Sequence, residues 1–90
     1  MAAARLRAYE GVAGSLMSYS THRKNALDET LALEHRIAHL RSCASRVASK
    51  VGLPRKLLMD RIAAETGLAL EPTGATIARW VEALERTRKV

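Results

Sequence analysis

Apolar residues recur along the middle of the chain at alternating spacings of four and three. The residues of this seam are Leu33, Ile37, Leu40, Ala44, Val47 and Val51. A heptad spacing of this kind is typical of a helix that packs along another helix. A helix over Ala26–Val51 would be roughly 39 Å long at about 1.5 Å per residue. The pattern therefore predicts a long second helix whose seam is covered by the first helix and by a partner chain.

A shorter apolar stripe precedes this helix and predicts a first helix. Its members are Leu6, Tyr9, Ala13, Leu16 and Met17. We predict a break between the two helices near residues 20–25, because Asn25 is a good N-cap. Asp28 and Glu29 then place negative charge in the first turn of the second helix. No Pro or Gly occurs within residues 15–51, so one continuous helix is the alternative.

The C-terminal part of the chain predicts two more helices. Gly52 and Pro54 end the long helix, and a third helix over about Arg55–Thr66 ends at Gly67. A short extended link leads to a fourth helix, for which Thr73 is the predicted cap. The residues predicted to face inward are Leu57, Leu58, Ile62 and Ala63 in the third helix and Ile77, Trp80, Val81 and Leu84 in the fourth.

These elements predict an all-α fold, a small helical bundle with a long heptad-patterned second helix and a C-terminal helix pair. Residues 1–53 are predicted to form a helical hairpin or long-helix interaction segment. Residues 54–90 are predicted to form a two-helix unit that resembles a helix-turn-helix. A chain of 90 residues makes one small domain with a thin core, and such cores often depend on oligomerisation or a partner.

Charge is distributed unevenly along the chain. The net charge is +6, and no acidic residue occurs from His35 to Met59. The cations of this stretch are Arg36, Arg41, Arg46, Lys50, Arg55 and Lys56. Such a segment attracts an anionic partner, which means nucleic acid, an acidic protein surface or anionic lipid. A solvated basic helix face is the alternative interpretation.

Charges beside the seam bear on how two copies of the chain would pair. A parallel homodimer would face Glu29 against Glu34 and Arg36 against Arg41, which is repulsive at both pairs. An antiparallel pair centred near residues 37–40 sets Glu34 of one copy beside Arg41 of the other. If the protein is a dimer, the antiparallel arrangement is therefore expected.

The stretch Asp60–Trp80 has features of a DNA-binding helix-turn-helix. Ala63 lets the following helix cross closely, Gly67 tolerates positive φ, and the apolar Leu68 follows. The face that would contact DNA is Thr76, Arg79, Ala83 and Arg86. An arginine at such a position reads a guanine edge or binds phosphate.

Two features oppose this interpretation. The turn over residues 68–73 is longer than the usual three or four residues of the motif. Glu82 and Glu85 also put negative charge on the helix that would approach phosphate. DNA recognition by residues 60–86 is therefore the alternative function.

His35, His39 and Cys43 follow one another at intervals of four, a spacing that metal ligands on one helix face can have. Cys43 lies about 12 Å along the helix axis from His35, so the three side chains cannot close on one ion. We expect an exposed polar face with no metal and no cofactor; a ligand shared between two chains is the one exception to test. Cys43 is expected to be an inert surface thiol, or a mildly reactive one if Arg41 and Arg46 lower its pKa.

The sequence contains no recognisable catalytic pattern. It has no phosphate-cradling Gly-rich loop and no nucleophile in a characteristic turn, so we expect no enzymatic activity. A single cysteine suits a reducing intracellular compartment, and no apolar run approaches the roughly 20 residues that span a membrane. The cytoplasm is the expected location, with an organelle as the alternative, because the N-terminal segment contains Arg and Ser and one acid.

The function predicted from these observations is that of a helical interaction protein, which is a small subunit, adaptor or assembly factor. The seam residues expected to bind a partner chain or a second copy are Leu33, Ile37, Leu40, Val47 and Val51. The basic stretch 35–59 would contact an anionic surface. The alternative is a small DNA-binding transcriptional regulator, and an association with RNA lies between the two. No small-molecule substrate is expected.

Overall fold

The computed structural model describes residues 18–89, and this part of the chain contains four α-helices. We number them α1 (Tyr19–Leu27), α2 (Leu33–Val51), α3 (Arg55–Thr66) and α4 (Ile77–Arg88). The long α2 lies at the centre of the packing, because α1, α3 and α4 all contact it; α1 also contacts α4. The predicted all-α helical bundle is confirmed.

The turn before α2 lies later in the chain than the sequence predicts. Ser18 caps α1, since its side-chain oxygen accepts a hydrogen bond of 3.1 Å from the backbone N–H of Thr21. Asp28 follows the end of α1, and its carboxylate accepts hydrogen bonds from the backbone N–H (2.9 Å) and the hydroxyl (2.6 Å) of Thr30. Such side-chain bonds to nearby backbone compete with helix formation and close a turn.

The predicted break at residues 20–25 is therefore wrong, because α1 runs through it. The alternative of one continuous helix is also wrong, because residues 28–32 form a turn. Asn25 is not an N-cap; it lies near the end of α1, where its carbonyl accepts from the N–H of Asp28 at 3.2 Å. The predicted helix over Ala26–Val51 is shortened to α2. The apolar stripe of residues 6–17 lies outside the described residues.

The helices α2 and α3 end at the glycines that the sequence predicts. Gly52 and Gly67 have φ of 77° and 78°, and the backbone N–H of each bonds back to the helix that it ends. Glycine takes this left-handed conformation without the steric cost that a Cβ imposes. The third helix has the predicted bounds, Arg55–Thr66.

Two threonines organise the start of α4. The carbonyl of Thr73 accepts hydrogen bonds from the backbone N–H groups of Thr76 and Ile77, both at 3.0 Å. The N–H of Thr73 in turn donates to Oγ1 of Thr76 at 2.9 Å. The second bond is of the kind found in a capping box, in which a side chain reaches back to an earlier backbone N–H. The N-cap of α4 is therefore Thr76 and not the predicted Thr73, although Thr73 takes part in the helix start through its backbone.

The core lies where α1, α3 and α4 meet α2. Its largest fully buried side chains are Trp80, Leu40, Leu58, Ile77, Leu84, Val47 and Cys43. The predicted inward stripe of α4 is buried throughout, so the periodicity of that helix identified its packed face.

One predicted core residue of α3 is on the surface. Leu57 is 53% exposed, whereas Met59, which the sequence prediction left out, is buried. Leu58 and Ile62 are buried as predicted, and Ala63 packs against the core. Met59 lies between Leu58 and Ile62 on the face that meets α2, while Leu57 is rotated away from it.

Candidate interaction surfaces

The heptad seam of α2 is divided between the protein's own core and its surface. The central residues Leu40, Ala44 and Val47 are buried, and Ile37 packs half-buried against the core. Leu33 and Val51, at the two ends, are 47% and 38% exposed. An antiparallel pairing of two chains centred near residues 37–40 would need surface that the protein's own fold largely covers. The ends of the seam are its most exposed residues among those that the structure describes.

Leu33 belongs to a small apolar surface at one end of the molecule. A Cβ placed on Gly74 would lie 3.7 Å from Cδ1 of Leu33, so the two residues are neighbours. Leu27, also exposed, lines the same groove as Ala78 in the first turn of α4. Leu27 is the last residue of α1 and Leu33 the first of α2, and Gly74 and Ala78 lie just before and at the start of α4. We call the surface formed by Leu27, Leu33, Gly74 and Ala78 the apolar end.

A groove between α1 and α4 shares Leu27 and Ala78 with the apolar end. It has a volume of about 380 Å³, and Leu27, Ala78 and Val81 supply its apolar lining. An ion pair of 3.4 Å joins Arg23 of α1 to Glu85 of α4 across it. The groove thus combines an apolar lining with charges of both signs.

Two cations of the basic stretch 35–59 bind backbone carbonyls at helix ends. Nε of Arg36 donates to the carbonyl of Ala26 at 2.9 Å, near the end of α1. Nζ of Lys50 donates to the carbonyl of Arg88 at 2.6 Å, at the end of α4. Cations are favourable there because the last carbonyls of a helix lack helical partners and carry partial negative charge. These two residues therefore have a structural role.

Three other cations of the stretch meet in one groove. These cations are Arg41, Arg55 and Lys56, whereas Arg46 lies elsewhere on the surface. Arg41 pairs with Glu71 at 3.0 Å, and Lys56 pairs with Asp60 at 3.5 Å. The groove has a volume of about 220 Å³, and we call it the basic groove. Its lining is Arg41 from α2, Arg55, Lys56 and Met59 from α3, and Leu70, Glu71 and Pro72 from the link to α4.

The residues predicted to read DNA do not form one open face. Ala83 is buried in the core, so its predicted place on that face is wrong. Thr76 is bonded to Thr73, and Arg86 pairs with Glu82 at 3.8 Å. Arg79 is exposed but lines grooves that also contain Glu82. The turn residues Gly67 and Leu68, in contrast, have the positive φ and the burial that the motif needs.

Cys43 is in the core, so the prediction of a surface thiol is wrong. It is fully buried, with Sγ 4.0 Å from the carbonyl oxygen of Tyr19. Burial raises the pKa of the Cys43 thiol to about 11, with Glu85 adding to the effect; Arg23, Arg46 and Arg88 oppose it. Loss of hydration outweighs the nearby cations, so the thiol is a poor nucleophile.

His39 is not on an exposed polar face either. Its Nδ1 lies 3.0 Å from Nδ1 of His22, which is buried in α1, so one imidazole donates a hydrogen bond to the other. His35 is exposed. Among residues 18–89, no group of three or more His, Cys, Asp or Glu side chains is placed to hold a metal ion. The partner of His39 lies 17 residues away, and no local spacing could have identified it.

No protein-family model, curated protein or solved structure matches this chain. Within the helices that the structure describes, none is both long and apolar enough to cross a membrane.

Proposed function

We propose that the protein is a non-enzymatic helical interaction protein, a small subunit, adaptor or assembly factor that binds a partner chain at the apolar end. The observation that carries the proposal is the position of Leu33. This first residue of the seam is 47% exposed and belongs to the same apolar end as Leu27, beside the groove between α1 and α4.

A partner helix suits this surface. Helices commonly bind by placing apolar side chains, one turn apart, into a groove between two other helices. Covering the exposed parts of Leu27 and Leu33 would contribute on the order of 1 kcal/mol each, at about 25 cal/mol per Å². Arg23 and Glu85 on the groove provide charges that orient the partner and contribute less to affinity.

Affinity purification from cells that express the protein tests the proposal when variants are compared in parallel. Leu33→Ser should lose the partner, whereas Leu57→Ser should retain it, because Leu57 is equally exposed but lies on α3. Light scattering after size exclusion then determines whether the partner is a second copy. Two results together would contradict the proposal. The chain would be monomeric and cooperatively folded at micromolar concentration, and Leu33→Ser would co-purify with the same proteins as the natural chain.

The alternative function, a small DNA-binding regulator, is supported by the turn at Gly67 and Leu68. The burial of Ala83 and the Glu82–Arg86 pair oppose it, because they leave no uninterrupted cationic face on α4. An interaction protein is therefore favoured.

A further inference from the structure

The basic groove brings together residues that are far apart in the sequence. Arg41 comes from the middle of α2, Arg55 and Lys56 from the first turn of α3, and Leu70 from the link before α4. Its volume of about 220 Å³ is smaller than the roughly 300–1,000 Å³ of small-molecule sites. A groove of this size accepts one or two side chains of a larger partner.

The cations of the basic groove are available to an incoming anion. Arg55 has no hydrogen-bond or ion-pair partner among residues 18–89. Arg41 and Lys56 do have partners, but Glu71 is 78% exposed and Lys56 is similarly open to solvent. Exposed pairs of this kind contribute only about 0–1 kcal/mol. A carboxylate that reaches the guanidinium of Arg55 can therefore bind it in bidentate fashion with little competition.

An apolar side of the basic groove lies beside these cations. Leu70 is 47% exposed, while Met59 and Pro72, which line the same groove, are buried. Water covers the exposed half of Leu70, so an apolar side chain of a partner is favoured there. Cationic and apolar recognition thus occur together within one groove.

This combination favours a peptide over a nucleic acid. A nucleic acid strand carries one negative charge about every 3.4 Å, so it would bring phosphates against Glu71 and Asp60 as well as against Arg55. A peptide places single carboxylates between apolar side chains. One carboxylate meets Arg55 while the neighbouring apolar side chain covers Leu70.

We infer that the basic groove binds a short segment of a partner protein in which a carboxylate lies beside an apolar side chain. The inference rests on the proposed function, because it adds a second contact for the partner that the apolar end holds. The two surfaces are separate, since no residue of the apolar end lines the basic groove.

Fluorescence anisotropy with the full chain tests the inference. The probe is a fluorescein-labelled peptide of four Asp-Leu-Ser repeats, compared with a peptide of four Asp-Ser-Ser repeats and with a short single-stranded thymidine oligonucleotide. The Leu-containing peptide should bind most tightly. Arg55→Gln should weaken it about tenfold, since hydrogen bonds between charged groups are the strong ones, and Leu70→Ser should weaken it about fivefold.

Matched controls lie on the surface of α3. Arg61→Gln removes one exposed positive charge outside the groove, and Leu57→Ser removes one exposed leucine; each should change affinity less than twofold. All four substitutions are at exposed positions, and circular dichroism confirms that each variant folds.

Four outcomes would overturn the inference. Equal losses for Arg55→Gln and Arg61→Gln would indicate general attraction to a polycation. Equal affinity for the two peptides would remove the role of Leu70, and tighter binding of the oligonucleotide would indicate a phosphate site. Leu33→Ser should leave peptide binding intact. If no variant binds the peptide but Leu33→Ser still loses the partner, the proposed function stands and this inference alone is rejected.

Discussion

Burial decides the chemistry of individual residues in this protein. Cys43 lies in α2 four positions after His39, and its position in the sequence does not reveal that α1 covers it. Tyr19 of α1 is also buried, and desolvation together with Glu85 raises the pKa of its hydroxyl. Both groups therefore keep their protons at a pH at which exposed counterparts would lose them.

The raised pKa values predict a loss of stability in alkali. The pKa of Cys43 rises from 9.0 to about 11 on folding, so above pH 9 the unfolded chain loses a proton that the folded chain keeps. The contribution of this proton to the free energy of unfolding should be nearly constant from pH 7 to about 9 and should fall as the pH rises towards 11. Tyr19 acts in the same direction at higher pH. Urea unfolding at pH 7, 9 and 10.5 measures the effect.

Cys43→Val is the control for this prediction, since valine fills similar space and does not titrate. Its stability should fall less between pH 9 and 10.5 than that of the natural chain. An identical fall in both proteins would show that other groups cause the loss, and a flat profile in the natural chain would contradict the prediction.

The contact between His22 and His39 is the second residue-scale feature that sequence reasoning missed. It joins α1 to α2 through a bond of 3.0 Å with His22 buried. A double-mutant cycle with His22→Ala and His39→Ala should give a coupling energy of about 1 kcal/mol, within the range for residues in contact. Chemical denaturation at neutral pH measures it. A coupling near zero would mean that the contact does not help to hold α1 on α2.

At the scale of elements, α1 explains why the predicted helix break at residues 20–25 is wrong. Its buried residues are Tyr19, His22 and Ala26, spaced three and four as on one helix face. A histidine in the middle and a small alanine hide that face from a search for apolar periodicity. A helix of nine residues is also too short to be stable alone, so its formation depends on α2. The other described helices have apolar stripes or glycine ends that local physics makes visible.

Arg36 is predicted to stabilise α1 from outside the helix. Arg36→Gln should lower the free energy of unfolding by about 1 kcal/mol, because the carbonyl of Ala26 loses a charged donor that is partly shielded from water. Arg55→Gln removes the same charge from the same acid-free stretch and should change stability by less than about 0.5 kcal/mol. Urea denaturation compares the two variants. Equal effects would mean that Arg36 acts only through net charge.

At the scale of the whole molecule, the sequence predicts the all-α bundle but not the part of the seam that stays open. The stripes of α2 and α4 identify faces that must be buried, and this is enough for the fold class. Which residues cover which part of α2 depends on the crossing of three helices, and a one-dimensional pattern does not contain that information. The convergence of Arg41, Arg55 and Leu70 in the basic groove depends on the same three-dimensional packing.

Binding of duplex DNA distinguishes the proposed interaction protein from a DNA-binding regulator. The net charge of +6 should produce some binding at low salt, and this binding should disappear at high salt as released counterions lose their advantage. Arg79→Ala should weaken it no more than Arg61→Ala, because Arg79 shares its groove with Glu82 and Glu85 and the buried Ala83 cannot reach a base.

Light scattering after size exclusion, with and without a short duplex at two salt concentrations, measures these effects. The expected result is binding that ignores DNA sequence and is lost at the higher salt. A complex that persists at the higher salt, prefers one sequence and is weakened mainly by Arg79→Ala would instead establish α4 as a recognition helix. Base contacts, unlike phosphate contacts, carry sequence preference, so that result would require the α3–α4 unit to enter the major groove.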